Sequence, residues 1–186
     1  LKIGRASGDA STVKTTITVP RGVKWPALDL PNGNVLRNTT FVGAPTDMDN
    51  ALTSGISARN KNNAVLENIT FDGVPMKNKG IDFTYSGDYR YNIVVKDITI
   101  KNCVAEDLTD IFFGVQWHNN NSQVGNFTIE NNKISYNSAT PANINALYLL
   151  NTTLPVTVKG NVINAGTKHG IFLSKNDGGV TIEGNN

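Results

Sequence analysis

Apolar and polar positions alternate in short bursts along this chain, and the bursts repeat. Residues 64–74, AVLENITFDGV, and residues 93–104, IVVKDITIKNCV, share one plan. Each runs apolar pair, polar pair, apolar-Thr-apolar, one charged residue, then Gly or Asn. The apolar-Thr-apolar unit recurs around Thr18, Thr40, Thr70, Thr99, Thr128, Thr157 and Thr181, with spacings of 22, 30, 29, 29, 29 and 24 residues. Period-two alternation of Val, Ile, Phe and Thr specifies strands, and no window carries a helical stripe. Self-similarity at this period specifies a solenoid.

The corners say which solenoid. Three residues after each threonine from Thr40 onward stand Gly43, Gly73, Asn102, Asn131, Gly160 and Gly184, the residue types that tolerate positive φ. A left-handed residue at one place in every turn bends each strand sharply into the next. The expected fold is therefore all-β, a parallel β-helix of about seven coils stacked ~4.8 Å apart. A second strand per coil is expected to centre on inward Ile56, Ile81, Ile111, Leu147 and Ile171, and a shorter third strand to carry Val104, Ile134 and Ile163. Two columns support this register. Two residues beyond the threonines stand Val42, Asp72, Lys101, Glu130, Lys159 and Glu183, and three residues before the early ones stand Arg37, Glu67 and Lys96. Their signs alternate coil by coil from Asp72 and from Arg37 onward, as neighbouring parallel strands prefer.

Composition narrows the rest. The 186 residues suffice for one domain with a real core, residues 1–186 being a single unit. The chain opens at Leu1 and ends in TIEGNN, both in mid-pattern, which reads as a piece of something longer. A net charge of +2 without a Lys/Arg run gives no basic footprint for nucleic acid. No apolar run reaches the ~18 residues of a membrane helix. The single cysteine, Cys103, excludes an internal disulfide and a thiolate zinc cluster; after a strand it reads as a small buried residue rather than a nucleophile. The sequons at Asn38, Asn68, Asn126 and Asn151 arise from an N-x-T built into the repeat.

Candidate chemistry sits on the second strand. With the register above, Asp82, Phe112, Tyr148 and Phe172 form one outward column, flanked by Gly80, Asp110, Ala146 and Gly170. Exposed aromatics beside small residues suit the apolar faces of sugar rings; alternatively loops or another subunit cover them. Asp82 and Asp110 fall on adjacent coils with β-carbons ~8 Å apart, inside the ~6.5–9.5 Å window of an inverting glycosidase. His169 lies about two coils from Asp110 on the same edge, placed to orient a water or a sugar hydroxyl. Trp117 and His118 begin a loop that overhangs the column and could cap a ligand. EDLTD, residues 106–110, reads either as a Ca²⁺ site of three carboxylates or as a solvated loop; no other cofactor is implied.

The cadence of GIFLSKNDGGVTIEGN and VGNFTIENNKI resembles the right-handed, single-stranded β-helix of the pectate-lyase-like superfamily, and TTITVPRGVKWPALDLPNGNVLRNTTFVG is similar to its first coils. That superfamily holds pectate lyases, polygalacturonases, alginate epimerases and bacteriophage tailspikes. The resemblance implies a polysaccharide or cell-surface glycan as partner and an extracellular or virion-surface location. LTD ending at Asp110 and KHG at His169 match polygalacturonase motifs in part, but the paired Asp and the Arg-x-Lys are missing, and Arg90 is the only arginine past the first sixty residues. The tailspike type, which implies a homotrimer, tolerates this best; a free lyase, hydrolase or epimerase and a non-catalytic adhesive solenoid are the other readings.

Overall fold

A computed structural model describes residues 14–29, 35–57, 65–84, 94–116, 123–137, 144–164 and 168–186. Every strand pairs in parallel with strands of adjacent coils, and the inner strands of each sheet pair on both sides. The first sheet stacks seven strands, Thr15–Thr18, Val35–Val42, Val65–Asp72, Val94–Lys101, Gln123–Glu130, Val156–Lys159 and Val180–Glu183. The second stacks six, from Leu28–Asp29 through Ile56–Ser57, Ile81–Thr84, Phe113–Gln116 and Asn145–Leu150 to His169–Ser174. The third stacks only Pro75–Lys77, Val104–Leu108, Lys133–Tyr136 and Val162–Asn164. The parallel β-helix is thus as expected, but the figure of about seven coils holds for one sheet only; four turns carry all three strands.

The threonine rank is real, with one correction. Thr40, Thr70, Thr99, Thr128, Thr157 and Thr181 lie side by side, but Thr16, not Thr18, pairs with Thr40. Thr16 and Thr18 share one face of their strand, so alternation alone cannot choose between them. Both charge columns also stand in register. Lys101 reaches Asp72 at 3.3 Å and Lys159 reaches Glu183 at 3.3 Å. Glu67 lies between Arg37 at 2.8 Å and Lys96 at 3.2 Å. Partial burial pushes the Glu67 carboxyl upward, but the two cations outweigh it and hold the group below its ordinary value.

The corner rule holds at five of its six positions. Gly73, Asn102, Asn131, Gly160 and Gly184 all have φ between 54° and 63°. Gly43 does not turn left-handed; a Cβ there would stand 2.7 Å from the Gly73 carbonyl and 3.0 Å from the Trp25 ring, so close approach demands the glycine. The third sheet carries Val104, Ile134 and Ile163 as expected, with Ile134 paired to Ala105 on one side and to Ile163 on the other.

A second left-handed column explains three of the four sequons. Asn38, Asn68, Asp97 and Asn126 have φ of 50°, 54°, 58° and 52°. Each is skipped by the strand ladder, which resumes on both sides, so the first sheet bends at the same place in four coils. Asn and Asp are the non-glycine residues most at ease there. The Asn68 amide donates to Asn38 Oδ1 at 2.7 Å, and the Asn126 amide donates to Asp97 Oδ1. Asp97 has no amide to donate onward to Asn68. Asp97→Asn supplies that donor while keeping an acceptor for Asn126, and is expected to add about 0.5–1 kcal/mol, raising Tm by about 1–4 °C in a thermal melt.

Inward positions stack like on like into one core. Phe41 and Phe71 lie parallel with centroids 5.1 Å apart, while Phe113 meets Phe83 and Phe127 edge to face. Below the corner between the first and third sheets, Asn132, Asn161 and Asn185 form a polar ladder that sequence reasoning missed. Asn132 Nδ2 donates to Asn161 Oδ1 at 2.9 Å and Asn161 Nδ2 to Asn185 Oδ1 at 2.8 Å. The same three amides donate to the carbonyls of Ile100, Ile129 and Val158. Cys103 holds the matching place one coil up, its Sγ 3.7 Å from the Phe71 carbonyl and its N–H on Asn132 Oδ1. Burial pushes its thiol up to about 12, so the buried structural reading of Cys103 stands.

Candidate functional site

The second sheet positions the candidate site, and its register corrects the expected column. Ile56, Ile81, Leu147 and Ile171 are inward neighbours as expected, but Phe113 rather than Ile111 joins them. The outward column is therefore Ser57, Asp82, Gly114, Tyr148 and Phe172. Phe112 leaves the column altogether and is fully buried, so it cannot meet a ligand. Its carbonyl accepts from Ile81 N–H as the Gly80 carbonyl accepts from Ile56 N–H, which puts Phe112 in the flanking place assigned to Asp110. The shift has a local cause. Asp107 adopts φ 51°, and the third-sheet ladder slips there, pairing Ile134 with Ala105 but Tyr136 with Leu108. One extra residue enters the coil before the second sheet begins.

Ile111 compensates for the missing side chain at Gly114. A Cβ on Gly114 would lie 3.1 Å from two Ile111 side-chain carbons, so Ile111 folds over the glycine. The aromatic strip is left as a pair. Tyr148 and Phe172 are half-buried and stacked, with centroids 5.2 Å apart and planes 12° from parallel. The His169 ring stands 5.9 Å from Phe172. Its Nδ1 bonds Asn145 Oδ1 at 2.8 Å, which makes Nδ1 the donor and turns Nε2 away from Asn145. Each aromatic ring thus gives one face to its partner.

Asp82 and Asp110 do come together. Both line a cleft of about 170 Å³ with Ser54, Ser57, Lys79 and Ile111. Asp82 Oδ1 accepts from Thr84 N–H at 2.9 Å and from the Thr84 hydroxyl at 2.6 Å, and Asp110 Oδ1 accepts from Ile111 N–H at 2.8 Å. Asp82 is thereby fixed by its own strand and Asp110 by the bend that leads into Phe113–Gln116. Gly80 is required in this floor, because a Cβ would stand 2.2 Å from the Phe112 carbonyl. His169 is not among the cleft residues; it lies two coils from the Asp110 turn, beside the aromatic pair. Trp117, His118 and Arg90 lie outside the described residues.

The acidic stretch is spread out. Asp107 pairs with Lys77 at 3.5 Å, while Asp110 turns back on the N–H of Ile111, its neighbour in the bend. Among the described residues no group of three His, Cys, Asp or Glu side chains could hold a metal ion. No helix among them is long and apolar enough to cross a membrane.

No curated protein and no solved structure matches the chain. The family described as "Right handed beta helix region" matches residues 30–186, nearly the whole span of stacked coils. The repeat, the left-handed corners and this match agree, and the chain belongs to the right-handed β-helix family.

Proposed function

We propose that the solenoid is a polysaccharide-recognising module and that the second sheet is its binding face. The Tyr148–Phe172 stack carries this reading. Two half-exposed rings on one flank, with the His169–Asn145 pair beside them, offer apolar faces and polar atoms at the spacing of successive coils. The cleft of Asp82 and Asp110 continues the same flank two coils away, so one extended chain can touch both. In this reading the chain is an extracellular or virion-surface module of the tailspike type, working as a homotrimer.

A second reading, cleavage of the bound glycan, is favoured by one observation: two carboxylates share a cleft on the same flank as the stack. Asp82 and Asp110 would then act as acid and base, with His169 left to binding by its distance from them. A glycan array followed by product analysis tests both. Tyr148→Ala and Phe172→Ala are each expected to weaken retention of the bound glycan about tenfold or more. Asp82→Asn and Asp110→Asn are expected to abolish products while retention persists, if cleavage occurs. Retention of no glycan by the unaltered chain would leave only the adhesive or structural solenoid.

A further inference from the structure

The left-handed bend of the first sheet opens a cleft of its own. It holds about 460 Å³ and is lined by Arg37, Asn38, Glu67, Asn68 and Asp97, from three adjacent coils. Its hydrogen bonding is unbalanced at one step. Along the bend Asn38 Oδ1 accepts from the Asn68 amide, and Asp97 Oδ1 accepts from the Asn126 amide. Between Asn68 and Asp97 the series is interrupted, because a carboxylate has no N–H to give to Asn68 Oδ1. Two acceptors therefore stand on coils ~4.8 Å apart with no donor of this column between them. Asparagine at position 97 would close the column and stabilise it. The carboxylate thus breaks a local rule inside a cleft, which is where function tolerates such breaks.

Charge and size narrow the ligand. Arg37 and Lys96 both reach Glu67, at 2.8 Å and 3.2 Å. With Asp97 counted, two cations stand against two carboxylates, so no net charge draws an ion here. The volume is far more than a bare ion fills and falls within the range of small-molecule sites. At Asn68 and Asp97 the cleft calls for donors. From Arg37 it offers them, since only one of the five guanidinium N–H groups, that on Nε, is engaged by Glu67 in this pairing. Neighbouring hydroxyls of a sugar ring answer both demands. Each O–H donates to one of the acceptors, and the hydroxyl lone pairs accept from Arg37.

We propose that this cleft is a second carbohydrate site, binding a neutral sugar through two neighbouring hydroxyls that donate to Asn68 Oδ1 and the Asp97 carboxylate. It lies on a different sheet from the Tyr148–Phe172 stack and does not depend on it. The test is an NMR titration of the isotope-labelled full chain with the methyl glycosides of mannose, galactose and glucose, each raised into the millimolar range. At least one is expected to shift the side-chain amide signals of Asn38 and Asn68 saturably. Asp97→Asn supplies the missing N–H and is expected to weaken that binding about tenfold or more. Because the same substitution is expected to raise Tm, lost binding cannot be mistaken for lost folding. Tyr148→Ala is expected to leave the titration unchanged, whatever the second sheet binds. No saturable shift with any of the three sugars, or binding that survives Asp97→Asn, would overturn the proposal. So would loss of the shifts in Tyr148→Ala, which would trace them to the second sheet, or the same shifts from calcium chloride alone, which would assign the gap to a cation.

Discussion

Asn161→Ala is expected to destabilise the protein by about 3–5 kcal/mol, a large share of the ~5–15 kcal/mol that holds a domain together. The side chain is fully buried and makes bonds in three directions. Its Oδ1 accepts from both the backbone N–H and the amide of Asn132, and its Nδ2 donates to Ile129 O and Asn185 Oδ1. Alanine leaves the buried Asn132 N–H without a partner at ~1–3 kcal/mol, takes one donor each from the Ile129 carbonyl and Asn185 Oδ1, and opens a void besides. Asn161→Asp keeps the shape but loses both donors and buries a charge, and is expected to fare no better. By contrast, Lys101→Ala removes one half-exposed ion pair with Asp72 and is expected to cost at most ~1 kcal/mol. Urea midpoints of the three variants measure the difference. Because each coil touches only its neighbours, hydrogen exchange should show the loss concentrated in the coils around Asn132, Asn161 and Asn185.

That contrast also explains what was legible beforehand. The charge columns and the threonine rank could be read because side chains of opposite faces alternate strictly, and a periodic surface pattern survives any choice of loop length. The amide ladder could not. In the pairs Asn131–Asn132 and Gly160–Asn161, the first residue is a left-handed corner and the second an inward rung, yet both are turn-forming types in sequence. Three Asn at the fourth place after Thr128, Thr157 and Thr181 were the available signal. The bend at Asn38, Asn68, Asp97 and Asn126 was hidden in the same way, since N-x-T also reads as a sequon. The candidate site was legible at Asp82, Tyr148 and Phe172, where counting within one sheet sufficed. It failed at Phe112, where the count had to pass the slip at Asp107 and then choose among the consecutive apolar residues Ile111, Phe112 and Phe113.

The choice among those three residues yields a second large effect. Phe113→Ala is expected to cost about 3–5 kcal/mol, because the ring is fully buried and stands edge to face with Phe83 at 6.1 Å and Phe127 at 5.4 Å. Phe127 belongs to the first sheet and Phe83 to the second, so Phe113 ties the two walls across the core. Removing it leaves a hole that rigid stacked strands close poorly. Phe112→Ala is expected to cost nearly as much, its ring being equally enclosed. Ile111→Ala, at a half-buried outward position over Gly114, is expected to cost about 1 kcal/mol. The register expected from sequence orders these differently: an inward Ile111 would be expensive to truncate, and an outward Phe112 cheap. Should Phe113→Ala fail to fold, Phe113→Leu retains most of the volume and is expected to lose only ~1–1.5 kcal/mol, still measurable as a shift in urea midpoint. A costly Ile111→Ala beside a neutral Phe112→Ala would return Phe112 to the outer face, and with it a third ring to the proposed glycan strip.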